Sequence, residues 1–339
     1  MKRFSLPDLL KGLAVFFMIQ IHITELFIDY AGRESLFGNL SMFFGGPFTA
    51  IIFMMVMGYF LAKSKKSPAK TILRGVKIFV VGLILNIGLN FNLLLKIKYA
   101  GWQFNPLEYI FGVDILYLAG LSVIFIALLK TMKKKQAWIA IVFVFLITGL
   151  TGFMNEVLMV SERNYILPFI GGTYSWAYFP LFPWLAYPLI GFAFFHFEEK
   201  IMLFFTKQKV VSGIILAGIG VLIVSFFKWG INTTINLPAY YHHTFWFSLW
   251  AIGIIILWVV LLRFLLNKFP NTYAGNFLKW LGKNITLFYI IQWLIIGNIS
   301  TAIYQTQSID KYLYWFGGIF AITGLLTWLI GKTNVKLAR

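Results

Sequence analysis

Long apolar segments separated by short polar or basic stretches make up most of this chain. Ten of them are long enough for an α-helix to cross a bilayer, which takes roughly 17–25 residues. The pattern predicts an all-α, polytopic bundle of about ten transmembrane helices, with residues 1–339 in a single integral membrane domain. The predicted spans are Leu9–Tyr30, Phe43–Ala62, Val76–Leu95, Leu107–Leu129, Ala137–Met154, Ala177–Phe197, Val210–Trp229, Thr244–Leu266, Phe277–Ile299 and Tyr312–Ile330.

Composition supports a membrane protein. Hydrophobic residues make up 60% of the chain and charged residues 12%, and the mean hydropathy is +0.82. A soluble globular domain is nearer half apolar and a quarter charged, so the lipid bilayer is the expected surrounding. The chain has no cysteine, which excludes disulfides, thiolate catalysis and Cys-ligated metals, and no metal site is expected.

Basic residues are concentrated in alternate loops. If the N-terminus lies in the cytoplasm, 23 of the 29 Lys and Arg residues fall on the inner side. This bias obeys the positive-inside rule. It predicts both ends in the cytoplasm, a multi-pass protein of the cytoplasmic (inner) membrane, and no nucleic-acid partner for the net charge of +18. The inner set includes Lys2, Arg3, Lys336 and Arg339; the outer set is Arg33, Lys96, Lys98, Arg163, Lys228 and Lys311.

The first predicted helix carries ionisable groups on one face. At 100° per residue, Lys11, His22 and Glu25 share that face, and no small-residue cleavage site follows, so we expect the helix to be retained. His22 is about 13 residues from the start of the span, roughly 20 Å along the axis, which predicts a place in the outer half of the bilayer. Glu25 is one turn further and can pair with His22.

Other helices bring polar groups to a similar predicted depth. Asp114 enters the fourth span from outside, Trp184 lies behind Pro183 on the sixth, and Gln292 reaches the same layer on the ninth. Ionisable groups at membrane depth are costly and are by default candidates for function. Each also has a structural reading, in which His22–Glu25 is a polar clasp and the amides connect helices.

These residues fit two kinds of chemistry. A neutral imidazole held by a carboxylate can act as a general base or a nucleophile. Basic groups at the inner mouth, such as Lys11 and Arg74, can hold the phosphates of an anionic cytoplasmic donor. This reading predicts group transfer across the membrane. A proton-coupled transporter would use the same His–Glu pair as a proton relay, and the residues alone leave both readings open.

Several motifs resemble those of membrane acyltransferases, both the acyltransferase-3 group and bacterial relatives of heparan-α-glucosaminide N-acetyltransferase. Asp8 to His22 has the pattern D-x2-[RK]-x10-H, with Lys11 where Arg is usual. Met57–Leu61 resembles "SGyfl", and Phe179–Leu185 resembles "fPllPWlg". The segment Leu281–Gln292 resembles "lGrnsLliYilH", with Gln292 in place of a frequent His.

The resemblance implies transfer of an acyl group, usually acetyl, from cytoplasmic acyl-CoA to an amine or hydroxyl of an extracytoplasmic glycan or similar small acceptor. It implies that His22 is the base or a transient acyl carrier and that Glu25 orients it. Lys11, Arg74 and Asn284 would then bind the donor, with Asp114, Trp184 and Gln292 around the reacting groups. A transporter or flippase, and a catalytically inactive assembly subunit, remain alternatives. The oligomeric state stays open, a homodimer included.

Overall fold

A computed structural model describes residues 6–159, 164–269 and 272–332. Lys2, Arg3, Arg163, Lys336 and Arg339, which enter the predicted charge pattern, lie outside these ranges. Within them every regular element is a helix, and the β contacts are two isolated bridges, Ile28–Gln307 and Val113–Ala177. The predicted all-α class is therefore confirmed for the described chain.

Twelve longer helices carry the architecture of the described residues. Their order is α1 Leu6–Leu26, α2 Leu36–Gly45, α3 Ile52–Lys63, α4 Pro68–Leu89, α5 Ile115–Leu129, α6 Gln136–Val157, α7 Ala186–Lys207, α8 Lys209–Ser225, α9 Phe245–Lys268, α10 Tyr273–Lys283, α11 Ile285–Ile303 and α12 Tyr312–Lys332. A π-helical turn, Gly46–Ile51, continues α2 into α3. Short helices lie at Tyr30–Glu34, Phe91–Tyr99, Pro106–Ile110, Leu181–Trp184, Phe227–Ile235 and Leu237–Tyr241.

Seven helical stretches of the described chain are long and apolar enough to cross a membrane. The count becomes eight if Leu181–Lys207 and Lys209–Ser225, which meet at an angle of 106°, form one broken span. The protein is thus a multi-pass integral membrane protein. The count is lower than the predicted ten because two pairs of predicted spans are merged. The stretch Ile115–Val157 covers the fourth and fifth predicted spans, and the bent pair covers the sixth and seventh.

The chain forms two compact units. The first consists of Met1–Thr49, Leu85–Pro106 and Leu265–Arg339, and the second of Ala50–Ile84 and Leu107–Phe264. In both, apolar side chains of long helices form the core, and many others face outward, as expected where lipid replaces water.

In the first unit, α1 is the central helix and packs against α2, α10, α11 and α12. Its closest approach is to α10, where two glycines allow backbone to touch backbone. A Cβ on Gly12 would lie 1.9 Å from the carbonyl oxygen of Leu278, and a Cβ on Gly282 would lie 1.9 Å from that of Asp8. Any larger residue would push the helices apart, so these glycines set the position of α1.

The second unit contains a similar crossing between α3 and α7. A Cβ on Gly58 would lie 1.9 Å from the carbonyl oxygen of Pro188, and a Cβ on Gly191 would lie 1.8 Å from that of Met55. Helix α6 packs on the same helix α7. Buried aliphatic and aromatic side chains complete this core: Leu61, Val123, Ile126, Ala140, Leu189 and Phe192.

Candidate functional site

His22 lies near the end of α1, half-buried, and contacts α11 of the same unit. Its Nδ1 is 3.1 Å from Oε1 of Gln292, a side chain with no exposed surface. The indole ring of Trp293 lies over the imidazole, with ring centres 4.1 Å apart. The structure therefore brings together two residues that the sequence placed at the same depth on different helices.

The hydrogen bonds of Gln292 decide which nitrogen of His22 carries the proton. The amide nitrogen of Gln292 donates to the carbonyl oxygen of Tyr289 at 3.4 Å, so its oxygen is the atom that faces the imidazole. An amide oxygen only accepts, so Nδ1 of His22 must donate. The neutral ring then carries its lone pair on Nε2. That atom has no hydrogen-bond partner among the described residues.

Glu25 does not hold the imidazole, so the expected His22–Glu25 pair is wrong. The reason is the direction of the ring, which is turned to Gln292 on α11. Glu25 instead interacts electrostatically with Arg33. Arg33 donates to the side-chain oxygen of Gln305 at 3.0 Å, and Gln305 donates to the backbone carbonyl of Glu25 at 3.2 Å. Glu25 thus belongs to a polar group at the end of α1.

Lys11 forms an ion pair with the buried carboxylate of Asp8, with a distance of 3.1 Å between Nζ and Oδ1. Both residues belong to the D-x2-[RK] motif, and the pair lies beside the crossing of α1 and α10.

Asn284 ends α10, and its side-chain amide donates to the carbonyl oxygen of Trp280 at 2.9 Å. The predicted ninth span, Phe277–Ile299, is therefore wrong in its start. The apolar pattern continues through Asn284, but the backbone leaves the helical conformation there.

A buried polar network links α1, α2 and α12, and sequence reasoning did not single it out. Gln20 donates to the carbonyl oxygen of Ser41 at 2.7 Å and accepts from the hydroxyl of Ser41 at 2.5 Å. Thr24 lies 2.5 Å from the same hydroxyl, and Tyr312 donates to Gln20 at 3.4 Å. A glutamine within an apolar helix was the available signal. The network holds the helix that carries His22.

In the second unit, Asp114 is the N-cap of α5 rather than a residue inside a span. Its carboxylate accepts from the backbone N–H of Ile115 at 2.6 Å. The chain from Phe111 to Val113 is not helical, because Val113 pairs with the backbone at Trp176 and Phe179. The predicted span Leu107–Leu129 is thus interrupted. Asp114 has a structural role of the kind that aspartates fill at helix starts.

Trp184 is fully buried. Its indole nitrogen donates to the carbonyl oxygen of Tyr241 at 2.7 Å, and its ring packs on His243. The Nδ1 of His243 is 2.5 Å from the carbonyl oxygen of Tyr240, so it donates there, and Nε2 accepts from the Tyr187 hydroxyl at 2.6 Å. Burial lowers the pKa of His243 to about 3, which keeps the ring neutral.

The remaining predicted residue, Arg74, is exposed on α4 of the second unit and pairs with no described residue. No group of three or more His, Asp and Glu side chains among the described residues could hold a metal ion. The site that the structure assembles within one unit consists of His22, Gln292 and Trp293, with the Asp8–Lys11 pair on the same helix α1.

A family model for the catalytic domain of heparan-alpha-glucosaminide N-acetyltransferase matches residues 3–224. The chain belongs to this family. The resemblance inferred from the short motifs is thereby confirmed. Neither a curated protein nor a solved structure matches the chain significantly.

Two of the motifs found in the sequence lie within the matched range and now have physical explanations. In the first, Asp8 pairs with Lys11, and Nε2 of His22 has no hydrogen-bond partner among the described residues. In the second, Gly58 allows the contact of α3 with α7. Gln292, which sets the tautomer of His22, lies outside the matched residues.

Proposed function

We propose that this member of the N-acetyltransferase family transfers an acyl group, usually acetyl, from cytoplasmic acyl-CoA to an extracytoplasmic acceptor. The acceptor is an amine or hydroxyl of a glycan or a similar small molecule. The observation that carries the proposal is the Nε2 lone pair of His22, which has no partner among the described residues while Nδ1 is held by Gln292. The family match supports the reaction class.

We propose ten membrane spans with both ends in the cytoplasm, because breaks divide two of the long helical stretches. Lys133 has a left-handed backbone with φ of 49°, so Ile115–Val157 is divided there into α5 and α6. The 106° bend divides α7 from α8. Counted separately, these helices raise the number of spans to ten. Both breaks carry lysines, as cytoplasmic loops do: Lys133, Lys134 and Lys135 at the first, and Lys207 and Lys209 at the second.

In the base mechanism, Nε2 of His22 removes the proton from the acceptor as its nitrogen or oxygen attacks the thioester carbonyl. The carbon–sulfur bond breaks, and the CoA thiolate leaves and takes the proton from Nε2. In the carrier mechanism, Nε2 attacks the thioester first and the CoA thiolate leaves. The acceptor then displaces the acyl group from the imidazole, and its proton passes to the thiolate. In both mechanisms, the oxygen of Gln292 accepts a hydrogen bond from Nδ1–H and stabilises the positive charge that forms on the ring.

The donor phosphates require cations on the cytoplasmic side. Lys11 is the first candidate, and Asp8 holds its ammonium in place. Arg74 is exposed and can present a planar guanidinium to a phosphate. Asn284 lies at the junction of α10 and α11, the helix that also carries Gln292. In the first unit, Lys11 and Asn284 are proposed to attract and orient the donor while His22 acts on the thioester; Arg74 is proposed by itself as a phosphate-binding residue of the second unit.

The proposal is tested with the purified chain in lipid nanodiscs and acetyl-CoA. Release of the CoA thiol can be followed with a thiol reagent, because the protein has no cysteine to give a background. His22→Asn keeps an amide donor for Gln292 and removes the basic nitrogen. We expect it to lower turnover by about 10²–10⁴-fold. His196→Asn, at a half-buried histidine of α7, is the matched control and should keep the activity.

The outcomes separate the alternatives. Full activity of His22→Asn would remove His22 from the mechanism. Acyl-CoA that neither binds nor is cleaved, together with proton-driven solute uptake, would establish a transporter instead. Acid-quenched protein analysed by mass spectrometry distinguishes the two mechanisms, because the carrier mechanism leaves an acyl group on His22.

A further inference from the structure

Helices α10 and α12 of the first unit enclose an apolar groove of about 450 Å³. Aromatic rings form its walls: Phe277 and Trp280 on α10, and Phe320 and Trp328 on α12. Gly324 forms part of the floor, and a Cβ there would meet only the ring of Phe288, at 3.9 Å. The volume is that of a ligand site, yet every lining side chain is apolar.

The shape and chemistry of the groove fit a hydrocarbon chain. Apart from the indole N–H groups of Trp280 and Trp328, the lining side chains offer a polar ligand no hydrogen-bond partner, so most of its hydration would be lost without compensation. A flexible acyl chain makes no such demand and gains contact with the aromatic rings. Both helices of the groove, α10 and α12, pack against α1, and α10 is followed directly by α11. A ligand in the groove would therefore border the helices that carry the His22 site.

Positive charge lies at one end of this groove. On α12 the lining residues share one helix face, and Lys332 follows Trp328 by one turn on that face. The ammonium of Lys332 is 3.6 Å from the centre of the Trp328 ring. Lys283, exposed at the end of α10, adds a second cation to this unit. A membrane lipid with an anionic headgroup complements this arrangement, because its chain and its phosphate are joined end to end.

We propose that the groove binds an acyl chain of an anionic phospholipid, whose phosphate is held by Lys332. A second copy of this chain fits the groove less well. A symmetric dimer about an axis normal to the membrane would place Lys332 of both copies at the same level and close together, where like charges repel. The proposal does not depend on the acyltransferase activity.

The test compares thermal unfolding of the purified chain in nanodiscs of phosphatidylglycerol and of phosphatidylcholine. Gly324→Leu fills the groove, and Lys332→Gln removes the charge. Gly317→Leu is the matched control, because nothing lies within 4 Å of a Cβ at this position of the same helix. We expect phosphatidylglycerol to raise the unfolding temperature of the wild type by about 2–4 °C. Gly317→Leu should keep this increase, and the other two variants should lose most of it.

Lipid that co-purifies with the protein provides a second measurement by native mass spectrometry, with phosphatidylglycerol retained by the wild type and lost in Gly324→Leu. Equal stabilisation by both lipids in every variant would overturn the proposal. Conversion of a dimer to a monomer by Gly324→Leu would assign the groove to a second copy. Displacement of the lipid by acyl-CoA would assign it to the donor substrate.

Discussion

The two units each contain a histidine held by hydrogen bonds among apolar side chains, and the histidines differ in one respect. His243 uses both nitrogens, one toward Tyr240 and the other toward Tyr187, and its side chain is 3% exposed. His22 uses Nδ1 toward Gln292 and leaves Nε2 without a partner among the described residues. The hydrogen bonds of His243 join two segments of the chain, whereas the hydrogen bond of His22 leaves a basic nitrogen atom without a partner among the described residues.

The difference shows how a structural histidine can be told from a candidate for catalysis. Apolar surroundings do not separate them, because both rings pack against aromatic side chains. What separates them is whether the second nitrogen is occupied. A ring whose nitrogens both have partners can accept a proton only if one hydrogen bond breaks.

The same substitution at both histidines gives the largest expected effect. Asn can replace the Nδ1 donor but not the Nε2 acceptor. His22→Asn should therefore lose about 10²–10⁴-fold in turnover while its thermal unfolding stays near that of the wild type. His243→Asn should show the reverse. Its turnover per folded molecule is kept, and its free energy of unfolding falls by about 1–3 kcal/mol because the buried Tyr187 hydroxyl loses its 2.6 Å bond to Nε2 and keeps only the longer contact with Ser248, at 3.5 Å. If His243→Asn loses turnover without loss of stability, the distinction between the two sites is wrong.

The second effect concerns the helix that carries His22. Gly12→Ala adds a Cβ that would lie 1.9 Å from the backbone of Leu278, so α1 must move away from α10. We expect a loss of roughly 3 kcal/mol in the free energy of unfolding, together with lower turnover. Gly149→Ala on α6, where nothing lies within 4 Å, is the control and should be neutral or slightly stabilising. Thermal unfolding measures both, and equal stability of the two variants would contradict this account of the crossing.

The third effect is a pH dependence that belongs to the second unit. Burial lowers the pKa of His243 to about 3 and that of His242 to about 4, below the ordinary value of 6.5. The unfolded chain therefore binds more protons below pH 6.5, and stability falls as the pH is lowered from there toward the folded-state values. For His243 the loss should be about 2 kcal/mol at pH 5.

Unfolding monitored between pH 7 and pH 5 checks this, with His243→Asn as the comparison. The variant should lose less stability on acidification than the wild type, since the contribution of His243 is gone. An unfolding temperature that is flat over this range for the wild type would show that His243 is not held neutral by the fold.

The smallest effect tests Gln292 as a positioning residue. Gln292→Leu removes the acceptor for Nδ1, so the ring of His22 is no longer held in one tautomer, and turnover should fall about tenfold. Gln292→Glu keeps an oxygen acceptor and should restore part of the loss. If Gln292 has only a structural role, turnover should instead follow the unfolding temperature across the wild type and the two variants. Steady-state kinetics and thermal unfolding, measured on all three proteins, distinguish the two outcomes.

The helices were the predictable part of the fold, and their interruptions were not. Apolar length identified the spans because the bilayer imposes a minimum number of residues. It missed the break before Asp114 and the break at Asn284, where local hydrogen bonds of the aspartate and the asparagine compete with the helix. Hydropathy averages over such single residues and cannot register them.

The candidate site was predicted in part. The sequence singled out His22 and Gln292, and depth arithmetic brought them to one layer. The sequence pattern assigned Glu25 as the partner of His22 because the two residues share a helix face. In the structure, the partner of His22 is the side-chain amide of Gln292 on another helix. Contacts between helices depend on rotation about each helix axis, which the spacing within one helix does not contain.

The sequence by itself determined the membrane environment, the helical class and the family, because apolar length, composition and short motifs are local properties of the chain. The tertiary structure alone decided which histidine keeps a nitrogen without a partner among the described residues. The outcome depends on the partners that other helices supply, which are Gln292 for His22 and Tyr187 for His243. Helix packing sets these partners, and glycines allow helices such as α1 and α10 to come into backbone contact.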